Sequence, residues 1–372
     1  MKNWIARLFG AASRSSGSRS AQAGATTAPS LPDTAPISPD AAATSAAVRS
    51  AIASTAASAS APDPGPALDL AFYRWLAGSV VAAGGAPAVP AAVPANTPAT
   101  APAAESLVLA ELARLAQRPA HAAGLVPRVP SVVPELLRSL RDDSVSGADI
   151  ARMVAQDVVL VGEVIREANS SFYRPPVPVR TIQGALILLG RNGLRMLLAR
   201  VAFRPVISTQ TGRFAKQVAP QIWRQSEKCA LAASTLAPTT GADPFEAYLA
   251  GLVQNVGLVV AFRLIDQVCD GDVLPASGSF VGVLFALARR MGHGIALHWE
   301  FPETVAGAIL EGSRADASPL GQVLAQGDRL AKLRLLADGG AIAPDHPLLA
   351  AVLGTRLRPC YDRLADQPAS ED

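Results

Sequence analysis

From Glu105 onward, apolar residues recur at three- and four-residue intervals, the repeat of one helix face rather than of a strand. In Glu105–Gln117, Leu107, Leu109, Leu112 and Leu115 mark an amphipathic segment. Further helices are predicted over Val132–Leu140, which follows two prolines, over Ser146–Asp157 and over Val158–Asn169. Ser146 with Asp149 three residues on makes a start like a capping box. The pattern continues over Thr181–Gly190, Gly193–Phe203, Ala215–Leu236, Pro244–Ile265, Phe280–Trp299, Pro302–Glu311, Leu320–Ala337 and Pro347–Leu357. No alternating pattern of comparable length competes. The predicted fold class is all-α, and about 240 residues are enough to bury a sizeable core.

Before Glu105 the pattern is different. Residues 10–67 are Ala, Ser, Thr and Pro with almost no large apolar side chains, and between Ala21 and Ala67 the only charges are Asp33, Asp40, Arg49 and Asp63. Such a segment cannot bury enough surface to offset its conformational entropy, so a long disordered arm is expected there. Gly85–Ala104 reads as a proline-spaced, semi-extended linker. Two islands hold all five aromatics of the first 104 residues. The first, around Trp4, Ile5, Leu8 and Phe9, reads as a frayed tail. The second, LDLAFYRWLAG (Leu68–Gly78), places Leu68, Phe72, Trp75 and Leu76 at i, i+4, i+7 and i+8. That spacing predicts a short docking helix, which packs either on the chain's own domain or in a partner's groove. The expected organisation is a tail over 1–67, this helix over 68–78 and a linker over 79–104. A helical domain follows over 105–358, with its core at 125–335, and then a C-terminal tail over 359–372.

Composition narrows the function classes. The net charge of +3 is too slight to argue for nucleic acid, and no dense basic run interleaved with aromatics is present. The three cysteines, Cys229, Cys269 and Cys360, are far apart and form neither a disulfide framework nor a CxxC pair, which fits a reducing cytosol. The start MKNWIARLFGAAS is interrupted by Arg7 before a signal-like apolar core forms. The charge-free stretch after Trp75 is rich in Pro and Gly, so no transmembrane span is expected and the location expected is cytoplasmic. Of the four histidines, His121 lies before the domain's core and His346 follows Asp345 in a proline-bracketed turn, while His293 and His298 are about 140° apart on a helix and do not face one ligand. No metal and no other cofactor is expected.

One polar pair interrupts an apolar helix. In GLVQNVG (Gly251–Gly257), Gln254 and Asn255 sit side by side among Leu, Val and Gly. Several other strings accompany it in order: IARMVAQD, ANSSFY, ALILLGRNGLRML, IWRQSEKCALAA, AYLAGLVQNVG, LHWEFPETVAGAI and QGDRLAKL. Together, over approximately Leu125–Leu335, they resemble the HDOD domain, the non-catalytic relative of the HD phosphohydrolases. In ANSSFY, Asn169 and Ser170 offer groups that satisfy backbone donors and carbonyls where a helix stops, and Phe172 and Tyr173 supply an apolar anchor. This constellation reads as a structural hinge.

The resemblance implies what the amides replace. Catalytic HD enzymes hold one or two divalent metals with a histidine, an adjacent His-Asp pair and a later aspartate. Here the first histidine's place falls on Gln225, just before Ser226, and the pair's place on Gln254 and Asn255. Only the last acid, Asp328, is kept. Carboxamides are neutral, weak ligands, so no water-activating centre is expected. The residual cluster of Gln225, Ser226, Gln254, Asn255 and Asp328 is predicted to form one hydrogen-bond network. That network either knits the helices together or lines a pocket for a small ligand. The resemblance implies a bacterial, non-catalytic regulatory module acting through other signalling proteins. The alternative is a degenerate phosphohydrolase or a cyclic-nucleotide sensor, for which Arg166, Arg174, Arg180, Arg191, Arg195 and Arg200 offer phosphate contacts.

Overall fold

The structure is a computed structural model of the chain. It describes residues 63–83, 101–126, 145–155, 158–170, 173, 175–269, 274–312 and 314–365. The predicted tail over 1–62, most of the linker, the predicted helix Val132–Leu140, Phe172 and Arg174 lie outside the described residues. Among the described residues every regular element is a helix and none is a strand, in line with the all-α reading.

The helices are α1 (Gly65–Ala83), α2 (Ala101–Ala116), α3 (Pro119–Gly124), α4 (Gly147–Ala155), α5 (Val158–Ala168), α6 (Ile182–Ser208) and α7 (Arg213–Leu236). After a short 3₁₀ turn come α8 (Pro244–Val253), α9 (Val256–Val268), α10 (Gly278–His298), α11 (Glu303–Glu311), α12 (Pro319–Asp338) and α13 (Pro347–Arg363). α7 is the central rod, packed most closely on α12 and α8 and also against α9, α6 and α1. α10 lies over α9 and α11 and carries α2 and α3 on its outer side, while α4 and α5 cover α6.

Local chemistry starts most of these helices where the sequence says. Ser146 and Asp149 satisfy one another reciprocally: the Asp149 amide donates to Ser146 Oγ at 3.2 Å, and the Ser146 amide to Asp149 Oδ2 at 3.2 Å. Thr181, Asp243, Ser277 and Ser318 cap α6, α8, α10 and α12 through side-chain oxygens, with proline at the first turn of α8 and α12. α7 has no cap of its own. Asp266, near the end of α9, accepts from the amides of Phe214 and Ala215 at 2.7 and 2.9 Å and neutralises that helix start from a distance.

The structure differs from the sequence reading at four places. The single helix expected over Pro244–Ile265 is two, broken at Gln254 and Asn255, where Asn255 has φ −87° and ψ 2°. The two helices expected over 181–203 run as one, bent at Gly190 (φ 66°), and continue through Pro205 to Ser208. α1 and α2 reach further into the presumed linker than 68–78 and 105 suggested. At the far end, residues 359–364 are not tail: α13 extends to Arg363, and Cys360, Tyr361 and Leu364 are buried in the core. An aromatic ring and a leucine there cover the end of α12, which the polar residues around them disguise.

Pro244–Val268 and Gly278–His298 are apolar and long enough, by length and composition, to cross a membrane, yet most of both is buried among other helices. The break at Gln254 is held by close backbone approach. A Cβ on Gly251 would stand 2.4 Å from Ala230 Cα, and one on Gly257 would stand 1.9 Å from the Ala288 carbonyl oxygen. Glycine lets α8 touch α7, and α9 touch α10, on either side of the amide pair. Gly257→Ala is therefore expected to destabilise the protein by about 3 kcal/mol through backbone overpacking, read as a fall in the thermal midpoint with the helical spectrum retained.

Candidate functional site

Four chain segments converge on one pocket. α7 contributes Gln225 and Ser226, both fully buried, and the α8–α9 junction contributes Gln254 and Asn255. α12 contributes Asp328 and, one turn later on the same face, Lys332. α1 contributes Asp69. The five residues singled out from the sequence are thus brought together, with two charged groups added.

The hydrogen bonds run in one direction. Asn255 Nδ2 donates to Gln225 Oε1 and, at 3.0 Å, to Ser226 Oγ. Gln225 Nε2 in turn donates to Asp328 Oδ1 at 2.7 Å, and Gln254 Nε2 reaches the same oxygen at 3.3 Å. A carboxylate only accepts, so it turns the amide nitrogen of Gln225 towards itself and the amide oxygen away, onto Asn255. The oxygen that a metal would need is already used.

The other carboxylate oxygen is used too. Lys332 Nζ lies 2.6 Å from Asp328 Oδ2 and 2.6 Å from Asp69 Oδ1, with the Phe285 ring centroid 4.8 Å away. Its side chain is 3% exposed. Burial pulls the ammonium's pKa down, but Asp328 and Asp69 together outweigh it and hold the pKa above the ordinary value. Arg289 adds a second positive charge 3.7 Å from Asp69 Oδ2, so two carboxylates face two cations. Burial, and next Asp328, push the neighbouring Cys229 thiol well above its usual range, so it is a packed, protonated side chain.

The HD metal does not fit this donor set. No imidazole is present, the Gln225 amide oxygen is taken by Asn255, and the single carboxylate kept from the HD pattern is bonded to an ammonium. A divalent cation here would meet a like charge within a few ångströms. Among the described residues no group of three or more His, Cys, Asp or Glu side chains converges elsewhere. His293 Nδ1 sits 3.0 Å from the Ala306 carbonyl, His346 caps α13, and His121 and His298 are exposed.

The hinge residues have a different task. Asn169 closes the loop after α5: its Nδ2 donates to the carbonyls of Val179 and Ile165 at 2.7 and 2.8 Å, and its Oδ1 accepts from the Val179 amide at 2.7 Å. Ser170 does less than expected, since its hydroxyl is buried with no partner among the described residues. Tyr173 is half-buried beside Arg200, and burial first of all pushes its phenol up to about 12. Arg200 lies between Glu167 and Glu227, and Arg166 pairs with Glu163. Arg195 is buried against the Phe245 ring at 4.3 Å. Of the six arginines considered as phosphate ligands, Arg195 and Arg200 are therefore engaged internally, while Arg166 makes an exposed pair on its own helix.

The predicted docking helix is engaged as well. Leu68, Phe72 and Leu76 are buried against the chain's own core, and Trp75 is half-buried and stacked on Phe72 with ring centroids 5.9 Å apart. Of the two placements open from sequence, the structure has the helix on its own domain. Lys332 and Asp69 were not singled out from sequence. Their signals are modest: a lysine one turn after Asp328, and an acid on the otherwise apolar face of LDLAFY.

Replacing Lys332 by Met would leave two carboxylates short of a partner in a closed site. A loss of about 3–5 kcal/mol at neutral pH is expected by chemical denaturation. The ammonium titrates above its ordinary 10.5 when folded, so its contribution is intact below that pH. It is lost as pH climbs through the raised folded value, and the stability gap between Lys332→Met and the parent should narrow there.

Comparison with known proteins places this geometry. A family model for the HDOD domain matches residues 126–314. An uncharacterized protein of Treponema pallidum (strain Nichols) is 28% identical over 200 residues, half of this chain but only 37% of that protein. The crystal structure of an HDOD domain protein of unknown function from Geobacter sulfurreducens superposes with a TM-score of 0.50 at 25% identity, covering 70% of this chain and 89% of the other. The family match stops at Arg314, so Asp328, singled out by its motif, and Lys332 lie beyond it and are joined to the cluster by their bonds in the structure. With more than half its length matched, the chain belongs to the HDOD family.

Proposed function

We propose that this chain is a non-catalytic signalling module that acts by binding other signalling proteins in a reducing, cytoplasmic setting. The observation that carries the reading is the Lys332 ammonium on Asp328: the positive charge that a hydrolytic metal would supply to that carboxylate is built into the chain. Around it, the amides of Gln225 and Gln254 donate to Asp328 and that of Asn255 donates to Gln225, with no imidazole beside them to complete a metal site or an acid–base pair. A polar network whose members are mutually satisfied rigidifies a core, which suits a platform for protein contacts. Membership of the HDOD family, related to the HD phosphohydrolases, is consistent with this use.

A degenerate phosphohydrolase or a cyclic-nucleotide sensor is less well supported, because Arg195 and Arg200 are engaged within the fold. The purified full chain is expected to retain no stoichiometric iron, manganese or zinc, and to release nothing from generic phosphodiesters with added Mn²⁺ or Mg²⁺. Metal-dependent turnover abolished by Asp328→Asn would overturn the non-catalytic reading. Saturable cyclic-dinucleotide binding without turnover would replace it with a sensor.

A further inference from the structure

α1 lies outside the family match and is delivered to the pocket from far away in sequence: it ends at Ala83, whereas the match begins at Val126. It lies in a trough formed by α7, α10 and α12. The contact has two zones. At the start of the helix, two acids meet three cations of the trough. Asp63 Oδ1 is 2.6 Å from Arg329, Asp69 Oδ1 is 2.6 Å from Lys332, and Asp69 Oδ2 is 3.7 Å from Arg289. Further along, Leu68, Phe72, Tyr73 and Leu76 are buried. Tyr73 stacks on Phe262 with centroids 5.9 Å apart and donates its hydroxyl to the Pro275 carbonyl at 2.7 Å.

Seen from the trough, these contacts describe a receptor. Three cations sit at one end, an apolar floor runs along its length, and a carbonyl waits for a phenol. The ligand that fits is an acidic-then-aromatic amphipathic helix, which is what α1 is. The 17 residues from 84 to 100 that join α1 to α2 carry four prolines. A chain reaches at most about 3.3–3.6 Å per residue, so 17 residues of contour are enough for α1 to leave the trough while remaining attached. A tethered helix also competes with outside helices at high effective concentration.

We propose that the trough of α7, α10 and α12 is a helix-docking site, held in the resting chain by its own α1. Its partner is a helix on another protein with the same chemistry: two carboxylates at the Asp63 and Asp69 positions and an aromatic pair one turn later. Exchange replaces Asp69 on Lys332 by the partner's carboxylate, so no charge is left uncompensated in the pocket. This inference rests on the reading of the chain as a protein-binding module and names the surface and the partner class.

The probe is a fluorescein-labelled synthetic peptide of residues 63–83, with the Asp63→Lys/Asp69→Lys peptide as control. The full chain is compared with its own Asp63→Lys/Asp69→Lys variant, in which α1 is repelled by Arg329, Arg289 and Lys332. The variant is expected to bind the parent peptide at least tenfold more tightly than the parent protein does, and to ignore the control peptide. Equal binding by the two proteins, or of the two peptides, would overturn the proposal.

If the variant does not fold, a protease site inserted between residues 90 and 91 of the full chain frees α1 after folding. Exchange of the freed helix for labelled peptide supports the proposal, and retention of the freed helix against excess peptide overturns it. A full chain that is dimeric through exchanged α1 helices overturns the single-chain arrangement. Metal-dependent phosphodiester hydrolysis by the released protein would instead defeat the non-catalytic reading. Loss of peptide discrimination without hydrolysis defeats only the docking assignment.

Discussion

A carboxylate set largely among helices has to find donors there, because water reaches only part of it, and Asp328, with 22% of its side chain exposed, is the group that imposes this requirement here. One oxygen takes two amide donors, from Gln225 and Gln254; the other takes the Lys332 ammonium. Lys332 in turn is too deeply buried to be stable with one partner, and Asp69 supplies the second. The chain of compensation runs from a position kept from a metal-binding pattern, through an internal cation, to a helix more than 250 residues away in sequence. The N-terminal helix is seated by burial of Leu68, Phe72, Tyr73 and Leu76 and by the second carboxylate it brings to Lys332.

The same network aligns the helices. Gln225, Asn255 and Asp328 come from three different elements, and each bond has a fixed donor and acceptor. Sliding α12 along α7 by one turn would carry Asp328 off Gln225 and leave the amide donor without its carboxylate. Close glycine contacts complete the constraint, since Gly251 and Gly257 bring α8 and α9 against their neighbours on either side of the break. The amide pair is therefore not a flaw in a buried helix. It stands where the helix ends, and its side chains take up bonds in a place where the backbone ladder is interrupted.

A second buried charge cluster does comparable work at the other end. Glu167 on α5, Arg200 on α6 and Glu227 on α7 join three helices across the layer that carries the Asn169 loop. Burial raises the pKa of Glu227 against the pull of Arg200, and it raises that of Tyr248 on α8 well above its ordinary value. These groups sit next to one another in a largely dry environment, which accounts for an arginine cluster that resembles a phosphate site in sequence and serves as internal ties in the fold.

What the sequence determines by itself is what short-range chemistry determines. Helical periodicity sets the fold class, the Ser, Thr and Asp caps set where α4, α6, α8, α10 and α12 begin, and the order of motifs marks Gln225, Gln254, Asn255 and Asp328 as one pocket. These signals lie within a few residues of one another or within one recognisable pattern. Tertiary structure decides the rest. The break between α8 and α9, the burial of Cys360 and Tyr361, the capping of α7 by Asp266 and the seating of α1 all depend on partners 20 to more than 250 residues away. Asp69 is an ordinary surface acid until α12 presents an ammonium opposite it. Only packing brings those two charges within 2.6 Å: the local partner of Lys332 is Asp328 one turn earlier, and nothing near Asp69 in sequence announces the longer-range pair.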